Sequence, residues 1–350
     1  MHPTTTDGAR AGAEPRARRR RPGWALAAGL AGALALAALV TGLSLAVGSN
    51  PLPLDAVWRA LVAPDDSFAT TVVASRVPRT ILGLLVGAAL AVAGALIQGI
   101  TRNPLGDPGL LGVNAGAAAA VVTVTAVTGS MMVGVAVLPV AVLGAFGAAV
   151  VVYLVGSGRG GPTPVRLILA GAAITAALTA YVQAIAFTNP TVFESYRFWV
   201  VGSIAGHPPS TVTMIWPVVV AALVVALLLG RPLNTLALGD ETARALGASA
   251  GRTRLVGAVV ATVLCGVATA AVGPIAFVGL AVPHIVRAVT GSDHRWLLAY
   301  CVALGPVLLL GADVLGRVVA RPGELMVGVV TAFLGAPVLY FAVRRSGSGL

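Results

Sequence analysis

Long apolar runs separated by short polar breaks divide the chain, and their lengths decide the fold class. Segments at 24–47, 78–98, 110–127, 131–155, 166–187, 211–229, 255–272, 296–319 and 325–343 each come close to crossing a bilayer, since about 20 apolar residues in a helix span a hydrocarbon core of about 30 Å. A tenth, shorter segment at 278–289 follows a helix-breaking Gly273-Pro274 step. The pattern predicts an all-α polytopic membrane protein of about ten spanning helices. Two further stretches read as helices lying at the membrane surface. One is 54–62, with Trp58 at headgroup level. The other is the core of 188–209, where Phe193, Tyr196, Trp199 and Val200 fall at helical spacing and Glu194 and Arg197 are three residues apart. The rest of 48–75, with Asp55, Asp65 and Asp66, is expected to be an external loop.

The breaks carry the polar chemistry. Beyond Gln98, from Thr101, the chain reads TRNPLGDPG, whose prolines Pro104 and Pro108 forbid a regular helix. Two spanning helices are therefore joined there by a tight turn holding Arg102 and Asn103. At the far end of the first of them stand Arg76 and Arg79. GSGRGG at 156–161 matches GxGxxG, but a spanning helix and not a strand precedes it, so it is a turn and not a dinucleotide site. The longest polar stretch between spans is 231–254. Asp240 is placed to cap a short helix there, with Glu241 in its first turn and Gly247 at its end. Such a helix suits a groove on a partner; an ordinary solvated loop is the alternative. Gly83–Gly87 and Gly112–Gly116 form GxxxG pairs that let helix backbones approach closely.

Composition narrows the class further. At 57% apolar and 10% charged, with mean hydropathy +0.94, the chain is not a soluble globular protein. One membrane domain at 24–345 uses nearly the whole length, flanked by a basic tail at 1–23 and a short tail at 346–350. The net charge of +11 does not mark a nucleic-acid binder, because its distribution follows the spans. Six arginines precede Trp24, and with ten helices and both ends on one side, seventeen of the 23 arginines fall on that side. That excess places both termini in the cytoplasm. The sequence holds no lysine, which excludes a Walker A ATPase and Schiff-base chemistry within this chain. Cys265 and Cys301 lie inside apolar runs and read as small buried hydrophobes. No HExxH and no convergent set of histidines is present, so no catalytic or metal site is expected. Ion-coupled transport would use an ionisable group near midplane. Asp313 is the candidate, and Arg317, four residues on, is positioned to neutralise it.

Several motifs in series carry a resemblance: RVPR, GAALAVAG, RNPLGDPGLLGVNAGA, RLILAG, LALGDETARALG, GPIAFVGLAVPHIVR, GADVLGR and GVVTAFLGAPV, from about Arg76 to Pro337. The chain resembles the membrane-spanning subunit of the ABC importers for iron–siderophore, haem and vitamin B12, the FecCD/BtuC type. The resemblance implies a bacterial cytoplasmic-membrane protein with the ten-helix vitamin B12 permease-like fold of the type II importers. Two permease subunits, identical or similar, would pair around a path. Two ATPase subunits would dock below and a substrate-binding protein above. ATP and Mg would be used by the ATPase, with no cofactor bound by this chain. It further implies that Leu238, Gly239, Asp240, Glu241, Arg244, Leu246 and Gly247 engage the ATPase. Arg76, Arg79 and Arg317 would receive carboxylates of the binding protein, a role suited to the planar guanidinium fork. Reversal of Arg76 and Arg79 to Glu is expected to abolish that docking and spare the fold; headgroup snorkelling is the alternative use of both side chains. The cytoplasmic gate would comprise Asn103 and Leu105 with Thr163, Pro164 and Val165, a turn less hydroxyl-rich than that of the vitamin B12 permease. The cargo expected is an iron chelate, most readily a ferric siderophore, with haem and vitamin B12 as alternatives. An ion-coupled transporter acting alone is the rival of another class.

Overall fold

The computed structural model describes residues 22–48, 51–129, 136–158, 161–162 and 164–347. Most of the basic N-terminal tail, the expected start of a helix at 131, Thr163 of the expected gate and residues 348–350 lie outside the described residues.

The chain is helical almost throughout. In order it forms α1 Gly23–Ala46, α2 Leu54–Val62, α3 Phe68–Thr101, a 3-10 turn Pro108–Leu111, α4 Val113–Thr128 and α5 Val137–Gly156. There follow α6 Pro164–Thr188, α7 Pro190–Trp199, α8 Pro209–Leu228, α9 Gly230–Ala237 and α10 Asp240–Ala245. The last four are α11 Ala250–Val272, α12 Val278–Thr290, α13 His294–Val319 and α14 Val327–Gly347. Between α5 and α6, Ser157–Gly158 and Gly161–Pro162 pair as a two-residue antiparallel ladder, which makes the GxGxxG match a hairpin turn. Among the described residues seven helices are long and apolar enough to cross a membrane, and α4, α12 and the apolar part of α14 are three shorter ones. Together they account for the ten expected segments, and the chain is an integral membrane protein.

The central element is α3. Every residue from Val86 to Ile100 is buried, so this part of the helix is enclosed on all sides. It also begins ten residues before the expected 78, which corrects the reading of 68–75 as external loop. The reason is a cap: Ser67 accepts from the Thr70 amide, while Asp65 accepts from both the Ser67 and Thr70 hydroxyls at 2.5 and 2.7 Å. Those hydroxyls hold the exposed Asp65 carboxyl down at about 2. At 34 residues the helix is about 51 Å long, well beyond a core of about 30 Å, so its first turns stand outside the membrane.

Small residues set the spacing around α3. A Cβ on Gly87 would sit 2.8 Å from the Gly305 carbonyl carbon of α13, and one on Gly94 would strike the backbone of Gly279 in α12. Gly116 and Gly144 bring α4 and α5 equally close. These are backbone-to-backbone approaches, in which van der Waals packing supplies the attraction. The helix α1 lies at the periphery, fastened by the Tyr300 hydroxyl donating to the Leu26 carbonyl at 2.7 Å. On the surface, α2 forms over the expected residues. The helix α7 also forms, but Val192 is fully buried and the helix packs on α4 and α6, with the Glu194–Arg197 pair at 2.6 Å on its outer side.

Two spans are too short to cross alone. The 16 residues of α4 and 13 of α12 reach only about 24 and 20 Å. Each is preceded by irregular backbone, 102–112 and 273–277 respectively, set against neighbouring helices. Irregular chain at membrane depth persists only where protein or a cavity covers it. Replacing Gly94 by Ala is therefore expected to cost at least about 1–3 kcal/mol. Gly147→Ala, where an added methyl meets nothing within 4 Å, should stabilise by about 0.5–1 kcal/mol. Thermal melting of the detergent-solubilised variants checks both, and the opposite order would show that backbone approach does not limit the packing.

Candidate functional site

The face expected from the sequence to lie outside, called outer below in contrast to the inner face at the other end of α3, is organised by the C-terminal end of α1. The last carbonyls of a helix lack partners within it and form the negative end of its dipole, and three arginines meet them. Arg76 Nη1 donates to Leu45 and Ala46 carbonyls at 2.8 and 3.1 Å. Arg317 Nη1 donates to those of Ser44 and Val47 at 2.9 and 2.8 Å, and Arg321 to that of Gly48 at 2.8 Å. The carboxylate of Asp313 then links Arg317 to α3: Arg317 Nη2 lies 2.9 Å from one oxygen and Arg79 Nη2 2.7 Å from the other. Arg79 Nη1 continues outward to Glu324 at 2.7 Å. The chain Arg317–Asp313–Arg79–Glu324 runs from side chains 1% exposed to one 34% exposed.

Arg76, Arg79 and Arg317, expected together from sequence, do line one outer cavity of about 540 Å³ with Glu324, His207 and Gly48. None of the three lies in a headgroup-seeking pose, since their guanidiniums are engaged by the α1 carbonyls, by Asp313 and, for Arg79, by Glu324. The expectation that reversing Arg76 and Arg79 spares the fold is corrected by this geometry: a glutamate at 79 would set another carboxylate beside buried Asp313. The imidazole Nε2 of His207 lies 2.9 Å from the Ser203 carbonyl, and burial lowers its pKa.

The inner face is built at the other end of α3. Arg102 terminates the helix in a left-handed conformation, φ 51°, and the following turn closes with the Asn103 side chain accepting from the Leu105 amide at 2.9 Å. Leu105 is 43% exposed and faces Leu280, Ala281 and His284 of α12 and Val338 of α14 across a small cleft. On the other side of the expected gate, Pro164 opens α6 and Val165 is 66% exposed; Thr163 is outside the described residues.

The polar stretch 231–254 is more ordered than a single short helix. Asn234 in α9 donates to Asp293 at 2.7 Å and accepts from the His294 amide at 2.8 Å, which fixes α9 to the start of α13. Asp240 is not the cap of α10; Gly239, φ 110°, holds that position. Its carboxylate instead accepts two hydrogen bonds from Arg254, at 2.9 and 2.8 Å, and one from Arg102. Arg254 foremost, with Arg102, holds the Asp240 carboxyl below its ordinary pKa. The tie is thus complete above the usual carboxylate range and is lost only as pH falls beneath it. Gly247, φ 76°, ends α10 as expected: its amide returns to the Arg244 carbonyl and that of Ala248 to Ala243, a Schellman closure. Ala243 is fully buried, while Leu238 and Leu246 are 62% and 65% exposed, with Glu241 and Arg244 beside them.

Between the two faces the irregular segments meet around a cavity of about 240 Å³ lined by Asp107, Pro108, Asn114, Cys265, Phe277 and Gly279 among others. Asn114 accepts from Thr269 at 2.8 Å. Sequence reasoning did not single out Asp107, Asn114 or Thr269, although the first two lie within the motif that carried the resemblance. The link between Arg102, Asp240 and Arg254 was likewise missed, since its partners stand far apart in sequence. Among the described residues no three His, Cys, Asp or Glu side chains converge.

Comparison with known proteins agrees across nearly the whole length. The model of the FecCD transport family matches residues 35–345. The chain is 48% identical over 320 residues to the ferric enterobactin transport system permease protein FepD of Escherichia coli K12, covering 91% of this chain and 95% of that protein. It is 38% identical over 305 residues to the Fe(3+)-citrate import system permease protein YfmD of Bacillus subtilis 168, covering 87% and 90%. A solved structure described as a metal-chelate type ABC transporter in an inward-facing conformation superposes with a TM-score of 0.80 at 27% identity, covering 91% of this chain and 99% of that one.

Removing the charge at Asp313 would leave Arg317, 1% exposed, without its counter-ion. Asp313→Asn is expected to destabilise by about 3–5 kcal/mol, whereas Glu324→Gln at the rim should cost no more than about 1 kcal/mol. Equal melting temperatures for the two variants would show that Asp313 does not hold the bundle.

Proposed function

The chain belongs to the FecCD transport family, and from that premise we propose that it is the membrane-spanning subunit of an ATP-driven importer for a ferric siderophore. The observation that carries this reading is the 48% identity along 91% of the chain to a ferric enterobactin permease. Haem and vitamin B12 are the alternative cargoes for the same machine. The reading sets the chain in a bacterial cytoplasmic membrane with both termini and α10 on the cytoplasmic side. It pairs with a second permease subunit, identical or similar, and takes up its iron chelate from a binding protein at the outer cavity. With no lysine in the sequence, nucleotide hydrolysis falls to two ATPase subunits, which supply the Mg and ATP chemistry.

In this assembly α10 is the contact with the ATPase. Leu238 and Leu246 offer apolar surface on either side of Glu241 and Arg244, while Ala243 keeps the helix seated on its own bundle. Displacement of α10 would pull on Arg102 through Asp240 and so act on the Asn103–Leu105 turn, with the residues before α6 completing the gate. At the outer face a carboxylate of the binding protein would compete with Glu324 for Arg79, while Arg76 and Arg317 keep the site positively charged. An ion-coupled mechanism is disfavoured because Asp313 is held between two arginines and is not poised to exchange an ion.

Reconstitution distinguishes the classes. Proteoliposomes holding this chain, its ATPase partner and a loaded binding protein should accumulate ferric siderophore only with ATP inside; gradient-driven uptake by the permease alone would overturn the reading. The docking role has its own measurement. Glu324→Gln removes the competing carboxylate and is expected to tighten binding-protein affinity up to about tenfold, or about 1.4 kcal/mol. An unchanged affinity would remove Arg79 from the docking surface.

A further inference from the structure

A groove of about 870 Å³ runs between α3, α5, α6 and α11 on the α10 side of the bundle. Its walls are apolar and open: Phe146 and Val150 of α5 and Leu255 and Val259 of α11 are 41–49% exposed, and Ile97 and Ile100 of α3 form the back. Its mouth is cationic, with Arg244, Arg252 and Arg254 against the single carboxylate of Asp240. That carboxylate is committed to Arg254 and Arg102. Arg244 and Arg252 are exposed and form no ion pair with a described residue. Glu241 stands near on α10 but does not line the groove.

The dimensions match a lipid. From Arg252 to Thr262, both lining the groove, α11 rises about 15 Å, half of a hydrocarbon core of about 30 Å. The groove therefore has a charged end at headgroup level and an apolar wall one leaflet deep. A soluble partner segment would have no reason to follow that wall inward. At the charged end, α11 also presents its first turn, where Ser249 accepts from the Arg252 amide and the space above Gly251 is open. The positive end of the helix adds to the guanidiniums in attracting a phosphate, and basic pockets between spanning helices are known to hold anionic headgroups.

The geometry points to this groove as a binding site for an anionic phospholipid, its phosphate between Arg252 and Arg244 and one acyl chain along Leu255 to Thr262. The inference needs only a chain that spans a bilayer; it shares Arg244 with the proposed ATPase contact, but its test uses the permease alone and does not depend on that reading or on the cargo. The test is native mass spectrometry of the purified chain in detergent, equilibrated with equal amounts of phosphatidylglycerol and phosphatidylcholine. Phosphatidylglycerol should be retained at least about tenfold more strongly, and Arg252→Glu should abolish that preference. Ala258→Trp, which fills the groove, should lower retention of phosphatidylglycerol, with melting in phosphatidylcholine confirming that both variants fold. Equal retention of the two lipids, or an unchanged preference in Arg252→Glu, would overturn the proposal. Displacement of the lipid by glycerol phosphate at equal concentration would overturn it too, by reducing the site to one for soluble phosphate.

Discussion

A carboxylate with almost no access to water fixes the outer half of this protein. Asp313 sits 1% exposed in a spanning helix, where a lone charge would be prohibitive. It is stable only because Arg317 on its own helix and Arg79 on α3 reach it together. Those arginines are in turn held by the carbonyls that end α1, directly for Arg317 and through the same cluster for Arg79. Three helices thereby share one electrostatic knot. Below it the approach of Gly87 and Gly305 keeps α3 and α13 in a single register. A slip by one turn would lose both the ion pair and the glycine contact.

This constraint turns α3 into a strut between the two faces. Its outer end carries Arg76 and Arg79, its buried middle admits no neighbour larger than glycine at two points, and its inner end carries Arg102 to Asp240. The yielding parts lie elsewhere. The irregular segments 102–112 and 273–277 have no continuous helical ladder, and they face each other across the inner cavity lined by Asp107 and Phe277. Motion of a packed bundle concentrates at such joints, with the helices moving as rigid bodies.

Run length and apolar pattern were enough to read the number of spans, because crossing a hydrocarbon core leaves few alternatives. They were not enough at 68–75, where polar residues look like loop but Ser67, Asp65 and Thr70 cap a helix that continues outside the membrane. The segment over α9 failed for a related reason: Asn234 ties it to α13, and that partner lies 59 residues away. Asp240 is the sharpest case. Its position before Glu241 suits a cap, yet Arg254 and Arg102 outbid the backbone amides for its oxygens, and a guanidinium 138 residues distant has no trace in local spacing. The outer arginines were legible as a group through topology, but not the α1 carbonyls that occupy their donors, since those carbonyls belong to every sequence.

The two ends of the strut differ in how readily they let go. At the outer end the Asp313–Arg317 pair is 1% exposed on both sides, and separating it would strand charge in a low-dielectric interior at about 3–5 kcal/mol. At the inner end Asp240 and Arg102 are 32% and 38% exposed, and a pair so open to solvent contributes only about 0–1 kcal/mol. Breaking it frees Arg102 into water and leaves Asp240 paired with Arg254, so no charge is stranded. A displacement of α10 would therefore shift or exchange the inner contact, and with it the Asn103–Leu105 turn, well before it disturbed the outer one. The architecture thus makes the arginine cluster the anchor and the α10 contact the moving joint, an asymmetry suited to a bundle worked from one side.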